Sequence, residues 1–551
     1  MLTFSTNRAG LPQPTEKPWL LLLLTFVWLW PGILGHDPWK PDEPFVNAVI
    51  LNMLHSGNWL TPMVHGEAYL DAPPLYYWVA AALARAFSPW LLPLHDAARL
   101  ATPLFMAIGL TFAGMTGREL IGRRHGRSVV LILIGSLGLL ATGHQMTPAV
   151  AGFAGFAIAF YALALSLRAP GLAGALLAAG LVLTFLSTSL LEVSLLVLSS
   201  LMLTAFSAWR NKGYAITLAM ALLLALPVAG LWPWLFAHAE PAAFARWWYE
   251  EALGPLNGFG RVGFFHEFGY YPKLVLWYTW PAWPLAAWTV YRSRRFDEPL
   301  LQLPLLFFVV TLILLTLSDR QSSTYALPLL LPMAVLAAVE LDTLKRGAAA
   351  FLNWFGLMTF GFFGVLIWAG WAAMNFGWPA KLAERAAYFS PGYLPQVSWP
   401  ATLAALAATA VWLWAVTRRH LRGRQAVTNW AAGITLFWGL ALTLWLPWLD
   451  AAKSYRPVVD KMMAALPPAA KNACVATERN NLLARLSWQY YGDLSLTAFE
   501  RGAEPPCGWR LVVRTRAQGL AEPGWTLIWQ GRRPRDKDEL YALLRRSPPS
   551  H

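Results

Sequence analysis

The sequence predicts a polytopic α-helical membrane protein that ends in a small α/β domain. Hydrophobic residues make up 57% of the 551 residues and charged residues only 13%, whereas a soluble protein carries roughly 25% charged residues. The apolar residues form runs of the length that crosses a bilayer, about 20 residues, and residues 450–551 lack such runs. This composition excludes a disordered chain, a collagen-like chain and a disulfide-rich secreted scaffold.

Thirteen apolar runs predict membrane-spanning helices. They cover residues 18–35, 97–121, 128–143, 147–167, 171–188, 190–208, 214–236, 274–291, 298–317, 324–342, 350–373, 400–418 and 427–449. A further apolar stretch at 73–88 is too short to span and predicts a helix in the membrane interface. The 31 tryptophans also suit membrane–water interfaces.

The distribution of lysine and arginine predicts the orientation. The net charge of +14 is concentrated in one set of alternate connectors, most densely at 122–127, 209–213, 292–295 and 418–424. Basic connectors mark the cytoplasmic side, so the N-terminus is predicted there and the C-terminus outside. Orientation therefore accounts for most of the positive charge, and no nucleic acid partner is expected. The first apolar run has no small-residue cleavage site, so it predicts an anchor.

Two domains are predicted. Residues 1–449 form the transmembrane domain, with long outer segments at 36–96, 237–273 and 374–399. Residues 450–551 form an outer α/β domain, in which short apolar runs such as WRLVV and WTLIWQ predict strands. The same pattern predicts a helix over 480–491 and a basic helix at the C-terminal end.

Both cysteines of the chain, Cys474 and Cys507, lie in this last domain, each beside a predicted strand. An outer compartment permits disulfides, so we expect a Cys474–Cys507 bridge. The alternative is a pair of reduced structural thiols.

An acidic pair in the first outer segment is the main catalytic candidate. Asp42 and Glu43 follow a Lys-Pro step and begin a predicted helix. Carboxylates are stabilised at a helix N-terminus by the helix dipole, so capping is one interpretation of the pair. The other is catalysis, because the pair lies just outside the first span, where a membrane-embedded substrate would meet water.

An ordered series of motifs surrounds this pair. Residues 35–78 contain P-D-E-P, S-G-x-W-L-T-P, G-E-x-Y and an acidic residue before P-P-L-x-Y-W. The series resembles the first periplasmic loop of the ArnT-like (aminoarabinose transferase) and protein O-mannosyltransferase family, which are GT-C-type glycosyltransferases of bacterial inner membranes. Segments 266–286 and 317–338 resemble two further segments of that family, one that contains a histidine and one that ends in Tyr-x-Leu-Pro.

The resemblance implies a GT-C fold and a membrane glycosyltransferase. It implies transfer of a sugar from a polyprenyl-phosphate donor to a lipid A-type or other periplasmic acceptor. The residue matching Asp42 is implied to be the catalytic base or a carboxylate associated with a divalent metal ion. No nucleotide cofactor is expected, because the chain has no phosphate-binding G-x-x-x-x-G-K-[ST] motif.

An inverting transfer needs a carboxylate at the nucleophile and cations at the leaving phosphate. Asp42 and Glu43 are the catalytic candidates, with Asp42 as the possible metal ligand. The substrate-binding candidates, several carried by the resemblance, are Lys40, Glu67, Tyr69, Asp71, Tyr76, Arg261, His266, Arg320 and Tyr325. The alternative for the cations is anchoring at lipid headgroups, and for Glu67 and Asp71 solvation of the loop.

Two positions depart from the family pattern. Ala72 stands where the family carries a lysine understood to bind the donor phosphate, and Pro148 aligns with a family aspartate. Lys40 is the predicted substitute for the first, and His144 or Gln145 for the second. These losses leave open a catalytically inactive lipid-binding or scaffold protein. A lipid transporter or flippase is a further alternative, although the sequence shows no repeated halves.

One more acidic residue, Glu192, falls inside a predicted span. An intramembrane carboxylate is functional by default. The alternative is a loop tip at the outer face, because the boundary of this span is poorly defined by sequence.

Overall fold

The computed structural model describes residues 18–256, 269–318, 320–417, 423–467, 473–514, 523–536 and 539–547. Helices dominate as far as residue 465, and a β-sheet follows. The helices are α1 (Pro18–Leu29), α2 (Glu43–Ser56), α3 (Leu75–Phe87), α4 (Leu94–Arg99), α5 (Ala101–Leu120), α6 (His125–Ile134), α7 (Leu137–Thr142), α8 (Ala149–Leu165), α9 (Pro170–Phe185), α10 (Leu190–Met202), α11 (Lys212–Ala239), α12 (Pro241–Arg246), α13 (Tyr270–Tyr278), α14 (Ala282–Ser293), α15 (Pro299–Leu317), α16 (Leu327–Val339), α17 (Arg346–Phe376), α18 (Ala380–Phe389), α19 (Trp399–Val416), α20 (Gly423–Leu444), α21 (Leu446–Lys453), α22 (Arg456–Ala465) and α23 (Leu482–Gly492).

The helical part is that of a multi-pass membrane protein. Within the described residues, six helices are long and apolar enough to cross a bilayer, and seven shorter apolar helices accompany them. α8 and α16 are buried along nearly their whole length, whereas α11 and α19 expose large apolar side chains. Such an outer apolar surface is expected where lipid takes the place of water.

Two of the predicted spans are divided near their middle in the structure. Residues 128–143 form α6 and α7, and residues 274–291 form α13 and α14. The two breaks touch, because the backbone N–H of Leu137 donates to the carbonyl oxygen of Trp280 over 3.2 Å. Pro281 and Gly135 stand at the breaks, and each disfavours an uninterrupted helix. The breaks were not predicted, because apolar length alone does not detect them.

The first outer segment folds around a short hairpin between α2 and α3. Its strands β1 (Met63–Val64) and β2 (Glu67–Ala68) pair antiparallel. The turn between them contains Gly66 at φ 77°, a left-handed conformation that glycine adopts without steric cost. The hairpin brings the chain back towards the start of α2.

The C-terminal part contains a five-stranded mixed sheet in the order β4-β3-β5-β7-β6. Its strands are β3 (Val475–Glu478), β4 (Thr497–Phe499), β5 (Trp509–Arg514), β6 (Trp525–Gly531) and β7 (Leu540–Arg546). The prediction of a basic C-terminal helix is wrong, because that segment is β7, which pairs antiparallel with both β5 and β6. Tyr541 to Leu544 are buried in succession, and burial on both faces overrides the helix propensity of Leu and Ala.

Cys474 and Cys507 are joined in a disulfide whose Cα atoms lie 5.2 Å apart. The bridge links the start of β3 to the segment before β5, the two parallel neighbours in the sheet.

The C-terminal part packs on the first outer segment through polar contacts. Asp37 accepts hydrogen bonds from Arg456 at 2.7 Å and from Ser454 at 2.6 Å. His95 contacts the hydroxyl of Tyr490 in α23 at 2.8 Å. These contacts hold the segment that carries the acidic pair between the helices and the sheet.

Candidate active site

A cavity of about 420 Å³ lies where the first outer segment meets the N-terminal ends of α8 and α10 and residues 320–328. The sequence-predicted residues Asp42, Tyr69, Asp71, Arg320 and Tyr325 all line it. They come from two separate regions of the chain, the first outer segment and residues 320–328, and the fold brings these regions together.

Asp42 precedes α2 and turns its side chain to this cavity. Its carboxylate makes no capping hydrogen bond, so the capping interpretation of Asp42 fails. Burial raises the pKa of Asp42 above its usual value, and the nearby charges of Asp71 and Glu43 raise it further. A carboxylate without a structural partner and with a raised pKa is suited to accept a proton.

Tyr69 and Asp71 form one polar unit on the cavity wall. The Tyr69 hydroxyl donates to Oδ2 of Asp71 over 2.6 Å, and the Tyr69 ring stacks on Phe45 with ring centroids 6.1 Å apart. Burial raises the pKa of Tyr69, as do the neighbouring groups, so this phenol stays protonated and keeps donating.

Arg320 supplies the positive charge of the cavity. It is the sole lysine or arginine among the described residues that line the wall. Arg320 forms an ion pair with Glu251, and its side chain is still 35% exposed. Its carbonyl oxygen accepts a hydrogen bond from Tyr271 of α13 at 2.7 Å, which fixes the backbone. The guanidinium can therefore contact an anion in the cavity while the backbone stays in place.

Several cavity residues escaped the sequence reasoning. They are Tyr77, Ser187, Thr188, Ser189, Gln321, Ser322 and Thr324. Glu192 also lines the cavity and lies in the first turn of α10, on the same side of the helices as the first outer segment. A detectable signal existed there, because Ser189 and Glu192 form a capping box, the S-x-x-E pattern that marks an N-terminus. The others lie far apart in the chain and carry no motif.

Glu43 lies outside the cavity, in contrast to its predicted catalytic role. Its carboxylate accepts hydrogen bonds from Arg99 Nε at 3.3 Å, from the N–H of Trp39 at 3.0 Å and from the N–H of Met146 at 3.1 Å. Burial raises the pKa of Glu43, but the Arg99 charge and these hydrogen bonds lower it more, so it stays below its usual value. Glu43 is an ionised anchor for the start of the outer segment.

Three predicted substrate ligands also have structural partners instead. Lys40 forms an ion pair with Glu539 of the C-terminal part, and Glu67 pairs with Arg485 at 3.4 Å. Both therefore hold the C-terminal part against the first outer segment. Tyr76 is fully buried, and its hydroxyl bonds Thr102 Oγ1 at 2.9 Å. None of the three lines the cavity. They were predicted there because local patterns do not reveal partners that are distant along the chain.

The two departures from the family pattern, Ala72 and Pro148, lie on the cavity wall. Their proposed substitutes do not reach it. Lys40 is engaged with the C-terminal part, and both ring nitrogens of His144 contact carbonyl oxygens, those of Leu140 and Trp28, at 2.7 Å.

Two further candidates, Arg261 and His266, lie outside the described residues. Within the described ranges, no group of three or more His, Cys, Asp or Glu residues is arranged to hold a metal ion. The predicted metal role of Asp42 therefore has no ligand cluster behind it.

Known proteins resemble the chain in sequence. An undecaprenyl phosphate-alpha-4-amino-4-deoxy-L-arabinose arabinosyl transferase of Pseudomonas savastanoi pv. phaseolicola is 25% identical over 344 residues, or 60% of this chain and 63% of the relative. A transferase of the same name from Pseudomonas aeruginosa UCBPP-PA14 is 27% identical over 369 residues, or 63% and 64% of the two chains. The chain thus spans less than two thirds of these relatives, and no family model matches it.

A solved structure resembles the chain over nearly its whole length. The crystal structure of ArnT from Cupriavidus metallidurans bound to undecaprenyl phosphate superposes with a TM-score of 0.64 at 15% identity, covering 96% of this chain and 98% of that one. The chain is ArnT-like in sequence and in fold. The apo form of the same Cupriavidus metallidurans protein superposes on this chain with a TM-score of 0.61. The ArnT-like resemblance deduced from the first outer segment is therefore confirmed in sequence and in fold.

Proposed function

We propose that this ArnT-like protein transfers a sugar from a polyprenyl-phosphate donor to a lipid A-type or other acceptor at the outer face of a bacterial inner membrane. The observation that carries the proposal is the Asp42 carboxylate, which has no structural partner among the described residues and faces a cavity shared with Asp71, Arg320 and Tyr325. The names of the curated relatives, which are undecaprenyl-phosphate sugar transferases, support it.

The cavity residues divide the reaction between them. The acceptor oxygen attacks the anomeric carbon, and the bond from that carbon to the phosphate oxygen breaks, with its electron pair leaving on the polyprenyl phosphate. Asp42 orients the acceptor and takes the proton that a hydroxyl acceptor carries. Arg320 pairs with the leaving phosphate, where negative charge develops.

The charge of the cavity favours an amino sugar. Asp42, Asp71 and Glu192 line it together with Arg320, so the wall has more acidic than basic side chains. A protonated sugar amine complements this wall, whereas a neutral sugar leaves it uncompensated. The curated relatives act, by name, on 4-amino-4-deoxy-L-arabinose.

The membrane arrangement is part of the proposal. We place thirteen spans, an N-terminus in the cytoplasm and residues 450–551 as a periplasmic domain. The support is the asymmetry of basic connectors, together with the disulfide, which suits an oxidising compartment.

A second candidate function is lipid binding without catalysis. Ala72 and Pro148 favour it, since both lie in the wall where the family pattern carries charged side chains. This candidate predicts that the donor binds and that no glycosylated product forms.

The two candidates are separated by a transfer assay on the purified full chain. Undecaprenyl-phosphate-linked aminoarabinose and a neutral-sugar analogue are each incubated with lipid A, and the products are read by mass spectrometry. We expect modified lipid A with the amino sugar and a loss of at least about 100-fold in Asp42→Asn, the usual size of a general-base contribution.

Asp460→Asn is the matched control, because Asp460 is exposed on α22 away from the cavity. It should keep wild-type transfer. Donor binding without product in the wild-type chain would instead establish the lipid-binding candidate. Parallel reactions with EDTA test the predicted divalent ion, which is supported only if chelation abolishes transfer.

A further inference from the structure

A second large cavity, of about 690 Å³, lies at the other end of the helical bundle. α20 starts beside it at Gly423, and near its far end Trp438 donates to the carbonyl oxygen of Pro31, just before the first outer segment. The 22 residues of α20 extend about 33 Å at 1.5 Å per residue. That length is close to the hydrocarbon thickness of a bilayer, so the two cavities open at opposite membrane faces.

Basic side chains dominate this second cavity. Arg124, Arg127, Arg346 and Arg424 line it against a single carboxylate, Asp342. The charge of Asp342 is balanced by Arg424, which donates hydrogen bonds to both of its carboxylate oxygens at 2.7 and 2.6 Å. The remaining charge of the cavity is therefore positive.

Two of these arginines have no compensating partner. Within the described part of the chain, the side chains of Arg127 and Arg346 form no ion pair or hydrogen bond. Both also sit in the first turn of a helix, Arg127 in α6 and Arg346 in α17. The helix dipole is positive there and repels a cation, so the arrangement costs stability unless an anion binds.

The rest of the wall is mixed: Ser128, Gln425 and Thr428 are polar, and another part of it is apolar. Leu131, Leu344 and Val427 line it beside the arginines. The walls are also closely packed, since a Cβ on Gly423 would lie 2.2 Å from the carbonyl oxygen of Leu341. A cavity with arginines and an apolar side fits a phosphate attached to a lipid better than a fully hydrated ion.

We propose that this basic cavity binds a phosphate-bearing anion, with the headgroup of an anionic membrane phospholipid as its source. Basic pockets between membrane helices suit such headgroups, and guanidinium groups match phosphate oxygens with paired hydrogen bonds. The proposal is independent of the transfer reaction, because the cavity lies at the opposite face from Asp42.

The test uses the purified full chain in an uncharged detergent. Phosphatidylglycerol, phosphatidylcholine and inorganic phosphate are titrated separately, and binding is read from the shift of the unfolding midpoint and from bound lipid in native mass spectrometry. We expect phosphatidylglycerol to bind, and Arg127→Gln/Arg346→Gln to weaken it about tenfold, because two charged hydrogen-bond donors are lost.

The control is Arg292→Gln/Arg294→Gln, which removes the same charge from exposed positions at the C-terminal end of α14. This end of α14 lies near the cavity, since Trp288 donates to Thr343. The control should bind phosphatidylglycerol like the wild type. Should the cavity double variant aggregate, Arg127→Gln and Arg346→Gln are measured singly, each with about a threefold loss expected.

The three titrations show whether the bound phosphate belongs to a lipid headgroup or to a free anion. Binding of phosphatidylglycerol but not of phosphate establishes a lipid headgroup, and cavity-dependent binding of phosphate alone establishes a free anion as the ligand. The proposal is overturned if neither binds, if phosphatidylcholine binds equally well, or if the control variant loses as much affinity as the cavity variant.

Discussion

Two cavities among the described residues, the one at Asp42 and the basic cavity, differ in charge as much as in position. The outer cavity sets three carboxylates against one arginine, whereas the basic cavity sets four arginines against one aspartate. The proposed donor and the proposed second ligand both carry a phosphate. If both proposals hold, phosphate recognition in the outer cavity depends on a single guanidinium, whereas in the basic cavity it is shared among several.

The largest effect is therefore expected at Arg320. Arg320→Gln removes the cation that we propose pairs with the leaving phosphate, so transfer should fall about 100-fold, as for the loss of one preorganised charge stabiliser. Single-turnover rates with aminoarabinose donor measure it. Arg292→Gln, an exposed arginine outside both cavities, is the matched control and should stay at the wild-type rate. Equal rates for Arg320→Gln and wild type would remove Arg320 from the proposed mechanism.

Restoring the missing lysine sharpens the same comparison. Ala72→Lys places a second cation on the wall of the outer cavity, so the KM for the donor should fall about tenfold, the value of one charge-assisted hydrogen bond. Ala82→Lys, on the exposed side of α3, should leave KM unchanged. A rise in KM for Ala72→Lys alone would show that position 72 does not face the donor phosphate.

The pH dependence of transfer reports the environment of Asp42. Asp42 must be ionised to accept a proton, and its pKa lies above the usual value because of burial and the charges of Asp71 and Glu43. The acid limb of the single-turnover rate should therefore lie above the ordinary aspartate value of about 3.9. Asp71→Asn should move the limb to lower pH, because it removes one of the charges that raise the pKa. If the acid limb of Asp71→Asn stays at the wild-type pH, the charge of Asp71 does not raise the pKa of Asp42.

The smallest effect is on stability. The folded protein holds the Asp42 proton more tightly than the unfolded chain, so ionised Asp42 destabilises the fold at neutral pH and this cost disappears as the pH falls through the raised pKa. Asp42→Asn should raise Tm at pH 7 by about 1 °C, and the difference should vanish in acid. A fall in Tm at pH 7 would indicate a stabilising role for the carboxylate.

The sequence predicted the parts of the site that follow one another along the chain. Asp42, Tyr69 and Asp71 were found because they belong to one ordered motif series. Tyr77 and Ser187 were missed, and Glu192 was singled out without being placed at this site, because only the fold brings them beside it. Sequence patterns within one segment cannot show which distant segments meet.

The errors have a related cause. Glu43, Lys40 and Glu67 were placed in the site, but Arg99, Glu539 and Arg485 engage them in the structure. Their partners lie 56 to 499 positions away along the chain, beyond the reach of local reasoning. Strand β7 was predicted as a helix for the same reason, since its neighbours in the sheet override its composition.

The adjacent residues Asp42 and Glu43 provide the most direct test of the central claim, which is that Asp42 carries the chemistry while Glu43 holds the fold. The measurement is the single-turnover transfer rate of Asp42→Asn and Glu43→Gln, each normalised to the folded fraction of the same sample. Glu43→Gln leaves Arg99 buried without its full charge partner and should lose about 3–5 kcal/mol of stability, but its folded fraction should transfer at a rate near wild type. Asp42→Asn should stay folded and lose transfer by at least about 100-fold. A folded Asp42→Asn with undiminished transfer would contradict the account.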